Sequence, residues 1–203
     1  MATLSLTQFL TLDGVHQAPG GPDEDRSGGF EHGGWSVPFG DEDFLRRVEE
    51  IFARPTAFLL GRRTYEIFAG YWPHHDDPAD PVATKLNALP KYVATTTLDS
   101  ADWAHTTLLR GDAVQEVTAL KERLDGEIQI HGSGGLARTL LAHDLIDTLH
   151  LHVFPVVLGT GRQFFGEGDL PTAFRLTRSA VTSTGVALHT YERAGRPEYG
   201  SYA

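Results

Sequence analysis

The chain has 203 residues, 40% hydrophobic and 22% charged, which is enough apolar side chain to bury a core of ordinary size in one domain. A formal net charge of -10 argues against unspecific binding to nucleic acids or acidic membranes, which needs clustered Lys and Arg. The absence of cysteine excludes disulfides, thiolate catalysis and Cys–zinc sites, and a start without a basic, apolar leader or a membrane-length run makes the cytoplasm the default expectation.

Leu4 to Leu12 is apolar and Thr-rich, reads as a first strand, and stops at the turn signal Asp13-Gly14. From His16 to Gly40 the chain is dense in Gly and Pro. Long segments of this kind inside a domain are lids or disordered, and the embedded Phe30, Glu31, His32 and Trp35 favour a lid whose aromatics cover a substrate or anchor the loop to the core. Asp41 to Ala53 is an amphipathic helix capped by Asp41, with Phe44, Leu45, Val48, Ile51 and Phe52 on one side. Thr56 to Leu60 is a buried strand, and Gly61-Arg62-Arg63-Thr64 opens the next helix. A Pro- and Asp-rich loop from Tyr71 to Pro81, including His74-His75-Asp76-Asp77, leads to a short helix, Ala83 to Leu89. Lys91 to Thr95 is a strand and Asp112 to Leu124 a helix.

Gly126 to Ala142 is the pivot: a short apolar strand, then Gly132-Ser133-Gly134-Gly135, then a helix from near Leu136. Glycines let the backbone approach a ligand, and the helix start behind them offers unpaired N–H groups, so this is an anion site, most simply for phosphate. One glycine would merely turn the chain; three in four positions favour the phosphate reading. Gly132, Gly134 and Ala137 fit a dinucleotide fingerprint, yet the strand that follows ends at Pro155 without the carboxylate that would hold a ribose, which argues against a Rossmann domain.

That strand, Thr148 to Phe154, alternates strictly, with Leu149, Leu151 and Val153 on one face. His150 and His152 share the other face at metal-ligand spacing but lack a third ligand, so no metal is expected and they are read as sheet-surface or interface residues. After the Gly159-Thr160-Gly161-Arg162 loop, Phe174 to Ser183 and Val186 to Glu192 form an antiparallel hairpin. Strands alternating with helices, then a terminal hairpin, predict an α/β fold with helices on both faces of a mixed, mostly parallel sheet: one domain over 1–193 and a surface tail over 194–203.

Three loops follow strand ends: Gly61 to Thr64, Thr95 to Ser100, and Gly132 to Gly135. On parallel neighbours they would share a rim, where Arg62 and Arg63 bring charge, Thr64, Thr96 and Thr97 bring hydroxyls, and the glycines bring bare backbone. An ion pair with Glu66 is the alternative use of either arginine. Leu12-Asp13-Gly14, Leu60-Gly61-Arg62-Arg63-Thr64-Tyr65 and Gly132-Ser133-Gly134-Gly135 in this order resemble the dihydrofolate reductase superfamily, in particular its branch typified by the reductase domain of the bifunctional riboflavin-biosynthesis protein.

The resemblance covers nearly the whole chain and implies the three-layer dihydrofolate reductase-like fold, with NADPH as cofactor and Asp13 and the long loop beside the nicotinamide. It puts Arg62, Arg63 and Thr64 near the cofactor phosphates, Thr96 and Thr97 beside its adenosine end, and Gly134-Gly135 under the pyrophosphate with a cis peptide admissible between them, and Gly61, Gly132, Ser133 and Leu136 complete the expected cofactor-binding set. Apolar Leu45 falls where folate-reducing relatives carry a first-helix carboxylate, which speaks against folate reduction and leaves Asp43 as the nearest acid. Asp13 and Asp43 are the catalytic candidates, Asp13 alternatively a plain turn residue and Asp43 a helix-dipole partner. Phe30, Glu31, His32 and Trp35 are the substrate-side candidates. The expected activity is NADPH-dependent hydride transfer to a small heterocyclic or carbonyl substrate by a homodimer. A non-catalytic NADP(H)-binding sensor or structural module is the alternative, and a sugar-phosphate ligand a third reading.

Overall fold

Leu4, Leu6 and Leu10 alternate with Ser5 and Thr7 along the first strand, and all five are buried, the signature of a strand covered on both faces. The computed structural model describes residues 1–75 and 77–202; Asp76 of the acidic loop and Ala203 of the tail lie outside the described residues. In chain order the elements are β1 (Thr3–Thr11), α1 (Glu42–Phe52), β2 (Ala57–Gly61), α2 (Arg62–Tyr71), α3 (Pro81–Ala88), β3 (Lys91–Ala94), β4 (Thr106–Leu109), α4 (Ala113–Arg123), β5 (Glu127–His131), α5 (Gly134–Leu141), β6 (Thr148–Phe154), β7 (Phe174–Val181) and β8 (Ala187–Arg193), with three short 3-10 turns between them. The strands form one eight-stranded sheet in the order β4-β3-β2-β5-β1-β6-β8-β7. Pairings from β4 through β6 are parallel, and β8 runs antiparallel to both β6 and β7.

Register sorts the side chains into two layers. Leu4, Leu6, Ile128, Ile130 and Leu149 pack with Val117 and Leu120 of α4 and Ala137 and Leu140 of α5. On the opposite face Phe58 and Leu60 pack with Phe52 of α1, Tyr65 of α2 and Leu86 of α3. The result is the three-layer α/β architecture expected, with the mixed, mostly parallel sheet between helices and the antiparallel hairpin at one edge.

Local chemistry explains the helix limits. Asp41 accepts from the Phe44 N–H, Asp80 from those of Val82 and Ala83, and Asp112 from those of Val114 and Gln115, so three of the five helices start at a side-chain cap. α5 has no such cap: it starts at Gly134, two residues before the expected Leu136, after Ser133 in a left-handed conformation (φ 53°). Every peptide among the described residues is trans, including Gly134–Gly135 where the resemblance allowed cis.

Two further corrections emerge. β4, the short and half-exposed Thr106–Leu109, was not anticipated. His150 and His152 are not on the sheet surface: both are fully buried beneath α1, His152 stacked on Phe9 at 5.2 Å and edge-on to Phe44 at 5.6 Å. The alternation of β6 was read correctly, but the helix that covers its polar face comes from about a hundred residues upstream. No helix among the described residues is long and apolar enough to cross a membrane.

Candidate functional site

The C-terminal ends of β2 and β5 are adjacent, and the loops that leave them are stitched together. The Gly61 N–H donates to Ser133 Oγ at 3.0 Å, and the Ser133 N–H donates to Thr64 Oγ1 at 3.1 Å. Each loop thereby fixes the other. Gly132 (φ 57°) and Ser133 (φ 53°) take left-handed backbone to make this turn, a conformation costly for Ser and held here by its two hydrogen bonds. At Gly134 a side chain would run into the His16 ring, 2.3 Å from Cε1, so anything larger than glycine requires that ring to move. At Gly135 nothing stands within 4 Å of where a side chain would be, which leaves that backbone open to a ligand.

Both loops line a cleft of about 1540 Å³. Its glycine-rich end holds Gly61, Arg62, Arg63, Thr64 and Gly132 to Leu136, nine of the eleven residues expected there, and adds Arg138 and Arg162. Thr96 and Thr97 are exposed and outside the lining, although Thr97 touches the rim by accepting from Arg62 Nη1 at 2.6 Å. Arg62 also pairs with Glu66 at 2.7 Å, both nearly half exposed, and Arg138 pairs with Asp169 at 2.7 Å. Arg63 and Arg162 converge on Asp25 and Ser27 of the long loop, Arg63 at 2.9 Å from the carboxylate and Arg162 at 2.5 Å from the hydroxyl. Burial would raise the Asp25 carboxyl, but hydrogen bonds from Ser27 and the Arg162 guanidinium prevail and hold it at about 2. Residues 16–25 thus form one wall of the cleft. Their His16 is held near 4 by burial and then by Arg162, so it is neutral at pH 7.

The other end is built by α1, with Phe44, Leu45, Val48, Glu49 and Phe52 as wall and Thr7, Phe9 and His131 from the strands beneath. Leu45 does lie on the cleft side, and the α1 acid there is Glu49, one turn further on. Asp43 is elsewhere: it pairs with Arg46 and lines a separate depression of about 130 Å³ with Glu50 and Arg178.

Asp13 is also outside the cleft lining. Its carboxylate accepts from the Thr11 hydroxyl at 2.5 Å and from the N–H groups of Leu158 and Gly159, which pins the 158–159 turn. The Thr11 bond leads the contacts that hold its pKa below the ordinary range, so at neutral pH it has no proton to donate. The aromatics of the long loop are anchors. Phe30 and Trp35 are buried with Phe154 and Val186, and the Trp35 indole donates to the Gln17 carbonyl at 2.7 Å. Glu31 and His32 are exposed and do not line the cleft. Sequence reasoning missed His16, Arg138, Arg162 and Glu49. Arg162, adjoining a Gly-Thr-Gly turn, and Glu49, four residues after Leu45 on one helix face, carried a readable signal.

The sequence profile of the RibD C-terminal domain matches residues 2–188. This chain belongs to that family. Two similar proteins from Bacillus subtilis (strain 168) are the uncharacterised proteins YyaP, 27% identical over 77% of this chain and 80% of its own length, and YwjB, 30% identical over 76% and 79%. Among solved structures, a protein from Shewanella sp. PV-4 assigned to riboflavin biosynthesis superposes with a TM-score of 0.68 at 22% identity, covering 96% of this chain and 99% of that one. Dihydrofolate reductase from Enterococcus faecalis gives 0.60 at 18% identity over 94% and 96%, and a pyrimidine reductase-like protein from Corynebacterium diphtheriae gives 0.60 at 14% over 95% and 92%. The fold is thus that of dihydrofolate reductase, and the family is the one the three sequence motifs resemble.

Proposed function

We propose that this chain is an NADPH-dependent reductase of a small planar heterocycle, with the nucleotide phosphates at the glycine-rich end of the cleft and the substrate against α1. The observation that carries this reading is the mutual stitching of the Gly61–Thr64 and Gly132–Gly135 loops at one cleft end, ringed by four guanidiniums. Family membership and the similarity to a dihydrofolate reductase solved with NADP(H) support it, as does the similarity to a pyrimidine reductase-like protein.

The donor chemistry suits a polyphosphate. The open Gly135 backbone lies at a helix start, where N–H groups and the dipole favour anions. Arg62 is free to exchange partners, since an exposed ion pair such as that with Glu66 contributes at most about 1 kcal/mol and charge-assisted bonds to phosphate are stronger, whereas Arg63 shares with Arg162 the largely buried Asp25 carboxylate, which a phosphate would have to displace.

When bound, NADPH supplies a hydride. The chain's own residues then have three tasks. Gly61–Thr64 and Gly132–Gly135 hold the nucleotide, Phe9, Phe44 and Phe52 exclude water and orient a ring, and residues 16–25 close one side. No side chain has to act as a nucleophile. Fluorescence titration with NADPH tests the assignment: saturable micromolar binding that Gly135→Glu abolishes is expected, and no binding by the folded protein would overturn it.

A further inference from the structure

We propose, on the reading that the glycine-rich end takes a nicotinamide nucleotide, that His131 accepts a hydrogen bond from a ring N–H of a planar heterocycle without phosphate, held against α1. His131 ends β5 and its ring stacks on Phe52 of α1, with centroids 4.4 Å apart and planes 20° from parallel, so it belongs to the α1 end of the cleft it lines.

Its tautomer is set by a chain of contacts. The Gln129 amide nitrogen donates to the Ile51 carbonyl at 2.7 Å and to Glu127 Oε1 at 3.1 Å, which leaves Gln129 Oε1 as an acceptor 3.1 Å from His131 Nε2. Nε2 therefore carries the hydrogen, and Nδ1 presents a lone pair. Burial, and then the nearby His150, hold the imidazole at about 3, so it stays neutral at any pH where the fold operates. Nδ1 has no partner among the described residues and, unlike both nitrogens of His152, is not sealed inside the protein. A tautomer fixed by three relayed groups around an otherwise idle acceptor on a cleft wall is a recognition element.

The walls say what kind of ring it recognises. Phe44, Val48 and Phe52 offer flat apolar surface, and the charged α1 residue in the lining is Glu49. The cations of the cleft, Arg62, Arg63, Arg138 and Arg162, come from the first turn of α2, from α5 and from the 162 loop. Arg47 of α1 is engaged beneath the helix with Thr190 Oγ1 at 2.7 Å and with Glu50 at 3.2 Å. A phosphate at the α1 end would meet a carboxylate and find no counter-charge.

Riboflavin and FMN are a matched probe pair, since both carry a flat ring with an N–H and only FMN carries a phosphate. Calorimetric titration of NADP+-saturated protein should give riboflavin an affinity at least about tenfold above that of FMN. His131→Phe should weaken riboflavin about tenfold with NADP+ affinity unchanged, and His131→Asn, which restores an acceptor oxygen, should recover most of the loss. Equal or tighter binding of FMN, or no binding of either probe, overturns the proposal. Should the variants not fold, nitrogen-15 NMR of wild-type histidines decides: an Nε2–H tautomer for His131 whose Nδ1 resonance moves on adding riboflavin supports it, and an Nδ1–H tautomer or an unmoved resonance overturns it. Failure of NADP+ to bind would sink the nucleotide reading instead, and riboflavin binding to the nucleotide-free chain would leave the role of His131 standing.

Discussion

Asp25 and Arg63 are 38 residues apart in the chain and 2.9 Å apart in the structure. With Arg162 on the same carboxylate, this contact ties the long glycine-rich loop to the first turn of α2 across the mouth of the cleft. Asp25 also occupies guanidiniums that a nucleotide phosphate would otherwise meet. Its folded pKa, about 2, lies below the ordinary 3.8, so its stabilising effect is present above pH 4 and is lost as pH falls through about 2. Asp25→Asn should cost about 1–2 kcal/mol at pH 7, read by urea denaturation, and the gap to wild type should close between about pH 4 and pH 2. A gap that does not change with pH would mean that the carboxylate charge is not what holds the loop.

On the proposed reading, a preference for NADPH over NADH would rest on the extra phosphate, and Arg62 and Arg63 are the rim cations next to the Gly61 turn. Arg62→Ala with Arg63→Ala should weaken NADPH by about ten- to a hundredfold and NADH by far less, because charge-assisted hydrogen bonds contribute about 1.5–3 kcal/mol. Equal losses for the two nucleotides, measured by fluorescence titration, would exclude these arginines as the discriminating contacts.

Gly134 and His16 exclude one another. A methyl group on Gly134 would stand 2.3 Å from the imidazole Cε1, and the ring is backed by Phe164 at 5.9 Å between centroids, which limits its retreat. Gly134→Ala should therefore destabilise the protein by about 1–2 kcal/mol, as overpacking does. Adding His16→Ala should recover most of that loss, and denaturation of the two single variants and the double variant measures the coupling. Additive effects would show that the two residues do not compete for the same space.

What the sequence disclosed follows from how local each feature is. Gly132 to Gly135 and Gly61 to Thr64 were legible because a positive φ, a helix start and a bare backbone are written in a few adjacent residues. The sheet and its closing hairpin were legible from period-two alternation, whereas β4, four residues long and half exposed, carries too little of it. Direction was the harder quantity. Phe30 and Trp35 look the same in sequence whether they face a ligand or a core, and Asp43 and Glu49, six residues apart on α1, end on opposite sides of the helix. His16 and His131 become cleft residues only when distant segments meet.

The buried histidines give the most general test. His131, His150 and His152 are each held at about 3 by burial first, against an ordinary value of 6.5. Arg47, Arg54 and Arg178 add positive charge near His150, and Arg47 adds it near His152. The folded state thus refuses protons that the unfolded chain accepts. The stabilising effect is fully present above about pH 6.5 and is lost as pH falls toward 3, where it levels off. Near pH 5 each histidine should contribute a slope of roughly 1 kcal/mol per pH unit, so the three together should weaken the fold in mild acid. His152 also leaves both ring nitrogens without a partner, so His152→Leu removes two buried unpaired polar atoms along with one titrating group. Urea denaturation from pH 7 to pH 4 should show the variant as stable as wild type or more so at pH 7, with about a quarter of the acid slope gone, because His16, held near 4, is the fourth contributor. An unchanged slope would mean that His152 takes up its proton in the folded state, and with it that the layer beneath α1 is open to water.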